Sequence, residues 1–302
     1  MLYPKVKKNS CFISTKPLQF VNCCNIEDEN IKLCCIVDNF YQAKTFYSSV
    51  KKYDNNFDKY IFARNKFKFL AILIFKQRKF GKLYIDSDYG LSIRFLLLFF
   101  FNIDIYIYEE GYASYEYLRK PDCIKNRFLL FLLPIFHIRN WNGGGCKVKG
   151  IYLYDKNLFK KNIKIDKGNF KTLNFKLPFK ENILSSKVFK VLFSGVNMNL
   201  FKDKNIFIYI TSWTYRKSII KYIQKYSSYY KILKLHPHIK DEMDIKLFNY
   251  ILPRELLVEY FLFYLQRVAL SIHIVHEGSF AIHYLKPTAK LTIENISNMD
   301  LK

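Results

Sequence analysis

The sequence predicts an α/β protein made of two successive halves, and three observations support this. Half of the 302 residues are hydrophobic, so a sizeable core can be buried. Short apolar runs alternate with longer helical stretches, which is typical of a mostly parallel sheet. A polar, basic and weakly periodic stretch at residues 155–187 interrupts this rhythm. We therefore predict one domain at residues 1–175 and another at residues 176–302.

The first half is expected to begin with a strand followed by a helix. Pro17 fits the first position of that helix because its missing N–H would have no partner there. Asp38 could cap a later helix. Further along, residues 91–101 have the length and apolar density of a buried helix. The predicted strands are residues 11–14, 34–37, 69–75, 82–86, 103–108 and 147–154, the last being the final strand of this half.

The same rhythm restarts after the polar stretch. Predicted strands cover residues 206–210, 232–235 and 271–275. Predicted helices cover residues 215–226 and 256–265, and a third starts at about Phe280. The second half is therefore a shorter α/β unit of the same kind.

The formal net charge of +24 favours an anionic partner, which could be a nucleic acid, a membrane surface or an acidic substrate. A coding sequence rich in A and T would also produce many lysines. The lysines are spread along the chain without a run of five or six, which fits a membrane-apposed enzyme better than a protein that reads DNA sequence.

The seven cysteines lack the spacing of zinc sites, so we expect reduced, buried thiols in a reducing compartment. The longest apolar runs have about half of the roughly 20 residues that a membrane-spanning helix needs. No signal-peptide core is expected near the N-terminus either. The predicted location is the cytoplasm, with peripheral contact at an anionic inner membrane left open.

Paired carboxylates follow one predicted strand. Glu109 and Glu110 come directly after residues 103–108, and Gly111 permits a tight turn that would project a carboxylate from the sheet edge. Ligands of open α/β sheets bind outside the carboxyl ends of the strands. The pair is therefore a candidate for general base chemistry, although this short motif, taken alone, is better interpreted as a solvated acidic turn.

A histidine follows a strand of the second half. His236 comes after residues 232–235, Pro237 fixes the turn, and Lys234 adds positive charge nearby. A histidine at this place could donate to a phosphate or protonate it as it leaves. In isolation, a histidine in a surface turn is the better interpretation.

Other polar residues also follow strands of the second half. Ser279 comes after Gly278 and could bind phosphate through its hydroxyl and helix N-terminal amides, and Thr211 has an equivalent place. Taken singly, they are better interpreted as helix caps. No metal-ligand cluster, Walker A motif or dinucleotide fingerprint is present, so neither a metal ion nor a cofactor is expected. The glycine cluster at residues 142–145 is interpreted as a plain loop.

The motifs occur in the order and spacing of bacterial sialyltransferases, and the chain resembles the group of lipooligosaccharide sialyltransferases and polysialyltransferases (glycosyltransferase family 52-type). The resemblance extends over nearly the whole chain and includes Thr15, Gln19 and Lys234 as further candidates. Phe280 departs from it, because a second Ser or Thr is expected there, and Lys16 interrupts the first motif. The matching segments are residues 14–19 (STKPLQ), 108–115 (YEEGYASY), 234–237 (KLHP), 253–257 (PRELL) and 278–281 (GSFA).

The resemblance implies the GT-B fold, in which two Rossmann-like domains face each other across a cleft. It implies an inverting enzyme that moves sialic acid from CMP-sialic acid to a surface glycan such as lipooligosaccharide, O-antigen or capsule. Glu109 would be the general base, Glu110 would support it, and His236 would stabilise or protonate the departing CMP phosphate. The residues implied to shape the donor site are Gly111, Thr211, Pro237, Gly278 and Ser279.

Three alternatives remain open at this point. One is a degenerate, non-catalytic family member that acts as a scaffold, although the intact Glu109 and His236 argue against it. A GT-B hexosyltransferase with another nucleotide sugar would place its general base and its phosphate contacts similarly. Phe280 is the main reason to retain this alternative, because the sialyltransferase resemblance predicts Ser or Thr there. A basic nucleic-acid-binding protein would explain the charge and the many Tyr and Phe residues. The aromatic residues fall inside apolar runs, however, so no nucleic-acid partner is expected. The acceptor glycan, the linkage, the processivity and the oligomeric state are not encoded in any recognisable motif.

Overall fold

The computed structural model describes residues 8–117, 139–211, 219–236, 239, 246–279 and 282–296. Parallel strands and short helices alternate through these residues. In chain order the elements are β1 (Asn9–Ser14), α1 (Pro17–Cys24), β2 (Ile31–Val37), α2 (Ala43–Tyr53), β3 (Lys59–Ala63), α3 (Lys66–Phe75), β4 (Phe80–Ile85), α4 (Leu91–Leu97), β5 (Asp104–Tyr108), β6 (Val148–Leu153), α5 (Lys156–Asn162), β7 (Lys171–Asn174), α6 (Phe179–Ser185), α7 (Lys187–Ser194), β8 (Asn205–Ile210), α8 (Ile219–Gln224), β9 (Tyr230–Lys234), β10 (Tyr250–Ile251), α9 (Val258–Val268), β11 (Ser271–His276) and β12 (Leu291–Asn295).

The chain divides into two compact units. The first comprises Met1–Asn39 and Asp54–Pro178, and the second comprises Phe40–Tyr53 and Phe179–Lys302. Helix α2 therefore belongs to the second unit, where the ring of Phe46 lies 6.1 Å from that of Phe189 on α7. The sequence-based division at residue 175 assigned this helix to the first domain. A single boundary in the sequence cannot separate these units, because the chain passes from one to the other three times, after Asn39, Tyr53 and Pro178.

The first unit contains a seven-stranded parallel sheet. Its strand order is β3-β2-β1-β4-β5-β6-β7. The chain moves outward from β1 to β3 and then returns to the other side of β1 with β4, which is the doubly wound order of dinucleotide-binding folds. Five of the six residues of β1 are buried, as expected for a strand covered on both faces.

The second unit contains a five-stranded parallel sheet of the same kind. Its order, β10-β9-β8-β11-β12, again places the first strand next to the fourth. Strands β8 and β11 are in register over six residue pairs, from Ser271 opposite Asn205 to His276 opposite Ile210. The predicted fold class, α/β with two Rossmann-like units, is confirmed by these two topologies.

Most predicted elements are confirmed. Strands form at β1, β2, β4, β5, β6, β8, β9 and β11, and Pro17 opens α1 as its first residue. The predicted helix at residues 91–101 is shorter and ends at Leu97. The cysteines Cys11, Cys23, Cys34 and Cys35 are buried, and burial raises the pKa of the Cys11 and Cys34 thiols. The parts of the second half that lie outside the described residues are 212–218, 237–238, 240–245, 280–281 and 297–302, so the beginning of the predicted helix 215–226 and the predicted helix start at Phe280 fall there.

One predicted strand is wrong. Residues 69–75 belong to helix α3, which Asn65 caps by accepting a hydrogen bond from the amide of Lys68 at 3.0 Å. Only one side of the helix is buried, at Phe69, Leu70 and Leu73. A short run that is apolar throughout has no period, so its sequence cannot distinguish a strand from a helix.

The sequence predicts that residues 155–187 interrupt the strand–helix rhythm, but the rhythm continues through them. Residues 155–187 contain α5, β7 and α6, and β7 pairs with β6 in parallel. Strand β6 is therefore not the last strand of its unit. Strand β7 lies at the edge of the sheet and its burial is partial, which explains why its sequence is polar. Asp38 caps no helix, since α2 begins only at Ala43.

Candidate functional site

Each sheet has one topological switch point, where neighbouring strands lead to opposite sides of the sheet. It lies between β1 and β4 in the first unit and between β8 and β11 in the second. A crevice opens at such a point outside the carboxyl ends of the strands, and ligands of doubly wound folds bind there.

Thr15 lies at the switch point of the first unit. Its hydroxyl lies 2.7 Å from Oδ2 of Asp86, which follows β4, and 2.6 Å from Oε1 of Gln19 on α1. Lys66, at the start of α3, lies 2.5 Å from the other oxygen of Asp86. A buried carboxylate, a hydroxyl and an ammonium group are thus joined at one strand end.

Gln19 carries an unsatisfied group at this place. Its Oε1 accepts a hydrogen bond from the backbone amide of Thr15 at 2.7 Å, which fixes the orientation of the side-chain amide. Its Nε2 is buried and has no hydrogen-bond partner in the part of the chain that the structure describes. Leaving a buried donor unpaired costs about 1–3 kcal/mol, and such groups are rare in native proteins.

Glu109, predicted to be the general base, is buried. Its Oε2 accepts hydrogen bonds from the hydroxyl of Tyr115 and from the backbone amide of Tyr154, the latter at 2.9 Å. Its backbone oxygen accepts from Asn22 of α1 at 2.9 Å. The sequence led us to expect that the turn at Gly111 projects this carboxylate from the sheet edge. It does not, because Glu109 continues the alternation of β5 into the protein interior.

Glu110 is the carboxylate that faces solvent. Its side chain is half-buried and its Oε1 lies 2.8 Å from the ammonium group of Lys16. The backbone amide of Glu110 donates a 2.9 Å hydrogen bond to the hydroxyl of Ser114. Gly111 has a φ of +122°, in the region that favours glycine. Lys16, which interrupts the first sequence motif, thus forms an ion pair with Glu110 of the acidic motif.

The glycine cluster is more than a plain loop. The amides of Gly143 and Gly145 each donate a 2.8 Å hydrogen bond to the carboxylate of Asp88, which is fully buried. Nε of Arg94 lies 3.3 Å from the same carboxylate. Sequence reasoning missed Asp86, Asp88, Arg94 and Lys66. The run Asp86-Ser87-Asp88 directly after β4 was the signal that could have indicated the first two.

The second unit places Thr211 and His236 side by side. The backbone amide of His236 donates a 2.8 Å hydrogen bond to the hydroxyl of Thr211. The amide of Thr211 in turn donates to the backbone oxygen of Lys234 at 3.1 Å. The ends of β8 and β9 are therefore tied together, with the half-buried His236 at the edge of the sheet. Pro237, the next predicted residue, lies outside the described residues.

Lys234 is buried below this edge. Its ammonium group donates to the backbone oxygens of Pro253 and Arg254, at 3.2 and 2.8 Å. Burial lowers the pKa of Lys234 to about 7, and it raises the pKa of Glu259 on α9 to about 7. The lysine that precedes the histidine motif thus anchors the Pro-Arg-Glu segment of the same resemblance.

Two backbone amides of the loop after β11 donate to side chains at the ends of β11 and β12. The amide of Ser279 donates to Nδ1 of His276 at 3.0 Å, and the amide of Gly278 donates to Oδ1 of Asn295 at 3.3 Å. Gly278 has a φ of +69°. Burial lowers the pKa of His276 to about 4, so its ring is neutral and can accept this bond at neutral pH.

The predicted residues are divided between the two units. Thr15, Gln19, Glu109, Glu110 and Gly111 belong to the first unit, and Thr211, Lys234, His236, Gly278 and Ser279 belong to the second. Phe280 lies outside the described residues. Among the residues that are described, no three His, Cys, Asp or Glu side chains cluster as a metal site would require.

No protein-family model and no curated protein matches this sequence. Among solved structures, the chain is similar to the wall teichoic acid polymerase TagF, with a TM-score of 0.46, 10% identity and coverage of 88% of this chain and 71% of that one. For a TagF variant soaked with CDPG, the TM-score is 0.49 at 10% identity, covering 92% and 67%.

The chain is also similar to the ADP-heptose lps heptosyltransferase II of E. coli. The TM-score is 0.40 at 10% identity, covering 97% of this chain and 94% of that one. Likenesses of this size carry no argument about activity. The strand orders of the two sheets define the fold.

Proposed function

We propose that this protein is an inverting glycosyltransferase that transfers sialic acid from CMP-sialic acid to a surface glycan. The observation that supports this best is the place of the sialyltransferase-like motifs. The acidic motif follows β5, and the histidine motif follows β9 with its backbone tied to Thr211 at the end of β8. Two doubly wound units in one chain are also what a GT-B enzyme requires.

In this proposal Glu110 is the general base. An acceptor hydroxyl must lose its proton as its oxygen attacks the anomeric carbon, and the base must touch that hydroxyl. Glu110 is accessible, whereas Glu109 is buried under Tyr115 and the amide of Tyr154. Lys16 keeps Glu110 oriented, and Glu109 holds the turn that carries it. This assignment exchanges the roles that the sequence resemblance implies for the two carboxylates.

His236 assists the leaving group. As the new bond to the acceptor oxygen forms, the bond between the anomeric carbon and the phosphate oxygen breaks, and CMP departs with additional negative charge. An imidazole at the phosphate can donate a hydrogen bond or a proton to that charge, so the step requires no metal ion. Thr211 positions the histidine, and Lys234 anchors the neighbouring segment from below.

A second candidate, a glycosyltransferase whose sugar donor carries a different nucleotide, also has support. Phe280 replaces the expected second hydroxyl residue, and the amides of Gly278 and Ser279 already have partners within the unit. These observations favour weaker phosphate contacts than in the resembling group. A hexosyltransferase that uses a different nucleotide sugar would retain the base and the histidine.

The test is release of CMP from CMP-sialic acid by the full chain, with and without a β-galactoside acceptor. We expect acceptor-dependent release that falls at least about 100-fold in Glu110→Gln and in His236→Ala. The matched control is Asp104→Asn, which replaces an exposed carboxylate on β5. Thermal stabilisation by UDP or GDP but not by CMP would overturn the donor assignment and leave the second candidate.

A further inference from the structure

Helix α3 carries an exposed apolar stripe. Ile72 and Phe75 are 51% and 90% exposed, and their spacing of three residues places them on the same side of the helix. The core contacts of α3 are made by Phe69, Leu70 and Leu73 on its other side. The fold of the unit therefore does not need the two exposed side chains, which makes them candidates for an external contact.

Helix α4 and the turn after it add three exposed phenylalanines. Phe95, Phe99 and Phe101 are 57%, 41% and 69% exposed, and the first two rings meet edge to face with centroids 5.3 Å apart. Gln77, just after α3, links this turn to the stripe. Its Nε2 donates to the backbone oxygen of Phe99 at 3.3 Å, and its Oε1 accepts from the amide of Phe101 at 2.9 Å.

We call this surface the aromatic face; it consists of Ile72, Phe75, Phe95, Phe99 and Phe101. Exposed apolar clusters of this kind mark interaction sites on proteins. The charged residues of α3 and of the turn after it are all basic. Residues 64–79 contain six Lys and Arg residues and no acidic one. Asp86 and Asp88 are the only acidic residues between positions 59 and 103, and both are buried.

A cavity of about 340 Å³ opens beside Ile72, between α3 and the beginnings of β1, β2 and β3. Its walls are mainly apolar and include Ile31, Leu33 and Ile61. The exposed residues Lys59, Lys76 and Lys79 also line it. An apolar cavity that is bordered by ammonium groups matches an amphiphile with an anionic head and a hydrocarbon tail.

From these observations we infer that the aromatic face docks on an anionic lipid surface, with α3 lying in the plane of the headgroups. Phenylalanines would enter the acyl boundary, and the lysines around them would contact the lipid phosphates. The charge selects an anionic membrane over a neutral one, and the exposed apolar side chains select a membrane over a nucleic acid. No helix within the described ranges is long and apolar enough to cross a bilayer.

Co-sedimentation of the full chain with vesicles tests the inference. We expect binding to phosphatidylcholine vesicles that contain phosphatidylglycerol, and at least tenfold weaker binding to pure phosphatidylcholine. The double variants Ile72→Ser/Phe75→Ser and Lys76→Glu/Lys79→Glu should each weaken binding tenfold or more. Matched controls in the second unit are Leu270→Ser, at a 56% exposed leucine, and Lys190→Glu/Lys202→Glu at exposed lysines.

A second measurement does not depend on losing binding. Phe75→Trp and Leu270→Trp place an indole at an exposed position inside and outside the aromatic face. Brominated lipids should quench the fluorescence that the first substitution adds and not that which the second adds, with the unaltered chain measured alongside because it already contains two tryptophans. Binding that is equal for neutral and anionic vesicles, unchanged by the double variants, or without quenching at position 75 would overturn the inference. None of these results depends on the sugar donor.

Discussion

The backbone amide of His236 lies 2.8 Å from the hydroxyl oxygen of Thr211, and this hydrogen bond joins the ends of two neighbouring parallel strands. A side chain at the end of β8 thereby fixes the direction in which the chain leaves β9. The position of the candidate catalytic histidine is thus set by a residue 25 positions earlier in the sequence.

Replacing Thr211 with valine keeps the shape of the side chain and removes the acceptor for the amide of His236. We expect the free energy of unfolding to fall by about 1 kcal/mol, and CMP release to fall with it because the histidine is no longer positioned. Thr211→Ser retains the hydroxyl and should behave like the unaltered protein. Denaturant unfolding and the release assay measure the two effects. Equal activity in the two variants would contradict the positioning role.

The two adjacent glutamates should separate stability from activity. Glu109→Gln disturbs a buried acceptor of two hydrogen bonds, so we expect a loss of about 1–3 kcal/mol in the free energy of unfolding. Glu110→Gln removes a partly exposed ion pair, which is worth about 0–1 kcal/mol, yet it should lower turnover at least about 100-fold. Urea unfolding curves of both variants provide the comparison. A stable, inactive Glu109→Gln protein would return the base role to Glu109.

Asp88→Asn should strongly destabilise the first unit. It leaves Arg94 buried without its counter-charge and weakens the contacts with Gly143 and Gly145, so a loss of about 3–5 kcal/mol is expected. The matched control is Asp104→Asn, since Asp104 is exposed on β5. Thermal unfolding of the two variants measures the difference. Similar melting temperatures would show that the glycine loop does not depend on this carboxylate.

His276 should make stability depend on pH. Its pKa is lowered by burial from 6.5 to about 4 in the folded protein, so between these values the unfolded chain binds more protons. Stability therefore falls as the pH falls from 6.5 to 4, because a protonated ring cannot accept the amide of Ser279.

His276→Asn offers an acceptor oxygen that does not titrate, so its unfolding free energy should change less over this window than that of the unaltered chain. Chemical unfolding at half-unit steps of pH, with both proteins in the same buffers, measures this difference. His273→Asn is the control at a second histidine, on the same strand. Parallel pH profiles for the unaltered chain and His276→Asn would show that the buried ring is not the source of the dependence.

Local patterns predicted most elements because parallel strands in a covered sheet are short, apolar runs that end at polar residues. Strand β5 and the acidic motif after it illustrate this relationship. The pattern failed at α3, where an unbroken apolar run contains both the core side and the exposed stripe of the helix. It failed again at β7, an edge strand whose partial burial leaves a polar sequence.

The sequence by itself determined the α/β class, the restart of the strand–helix rhythm and the strand-end positions of Glu109, Glu110 and His236, because these depend on residues close together in the chain. Only the tertiary structure decided that α2 belongs to the second unit and that Glu109 is buried while Glu110 is accessible. It also decided that Asp86 and Asp88 are held by Thr15, Lys66, Arg94 and the glycine loop. Burial and hydrogen bonding of these groups depend on partners many positions away, and no local pattern contains that information.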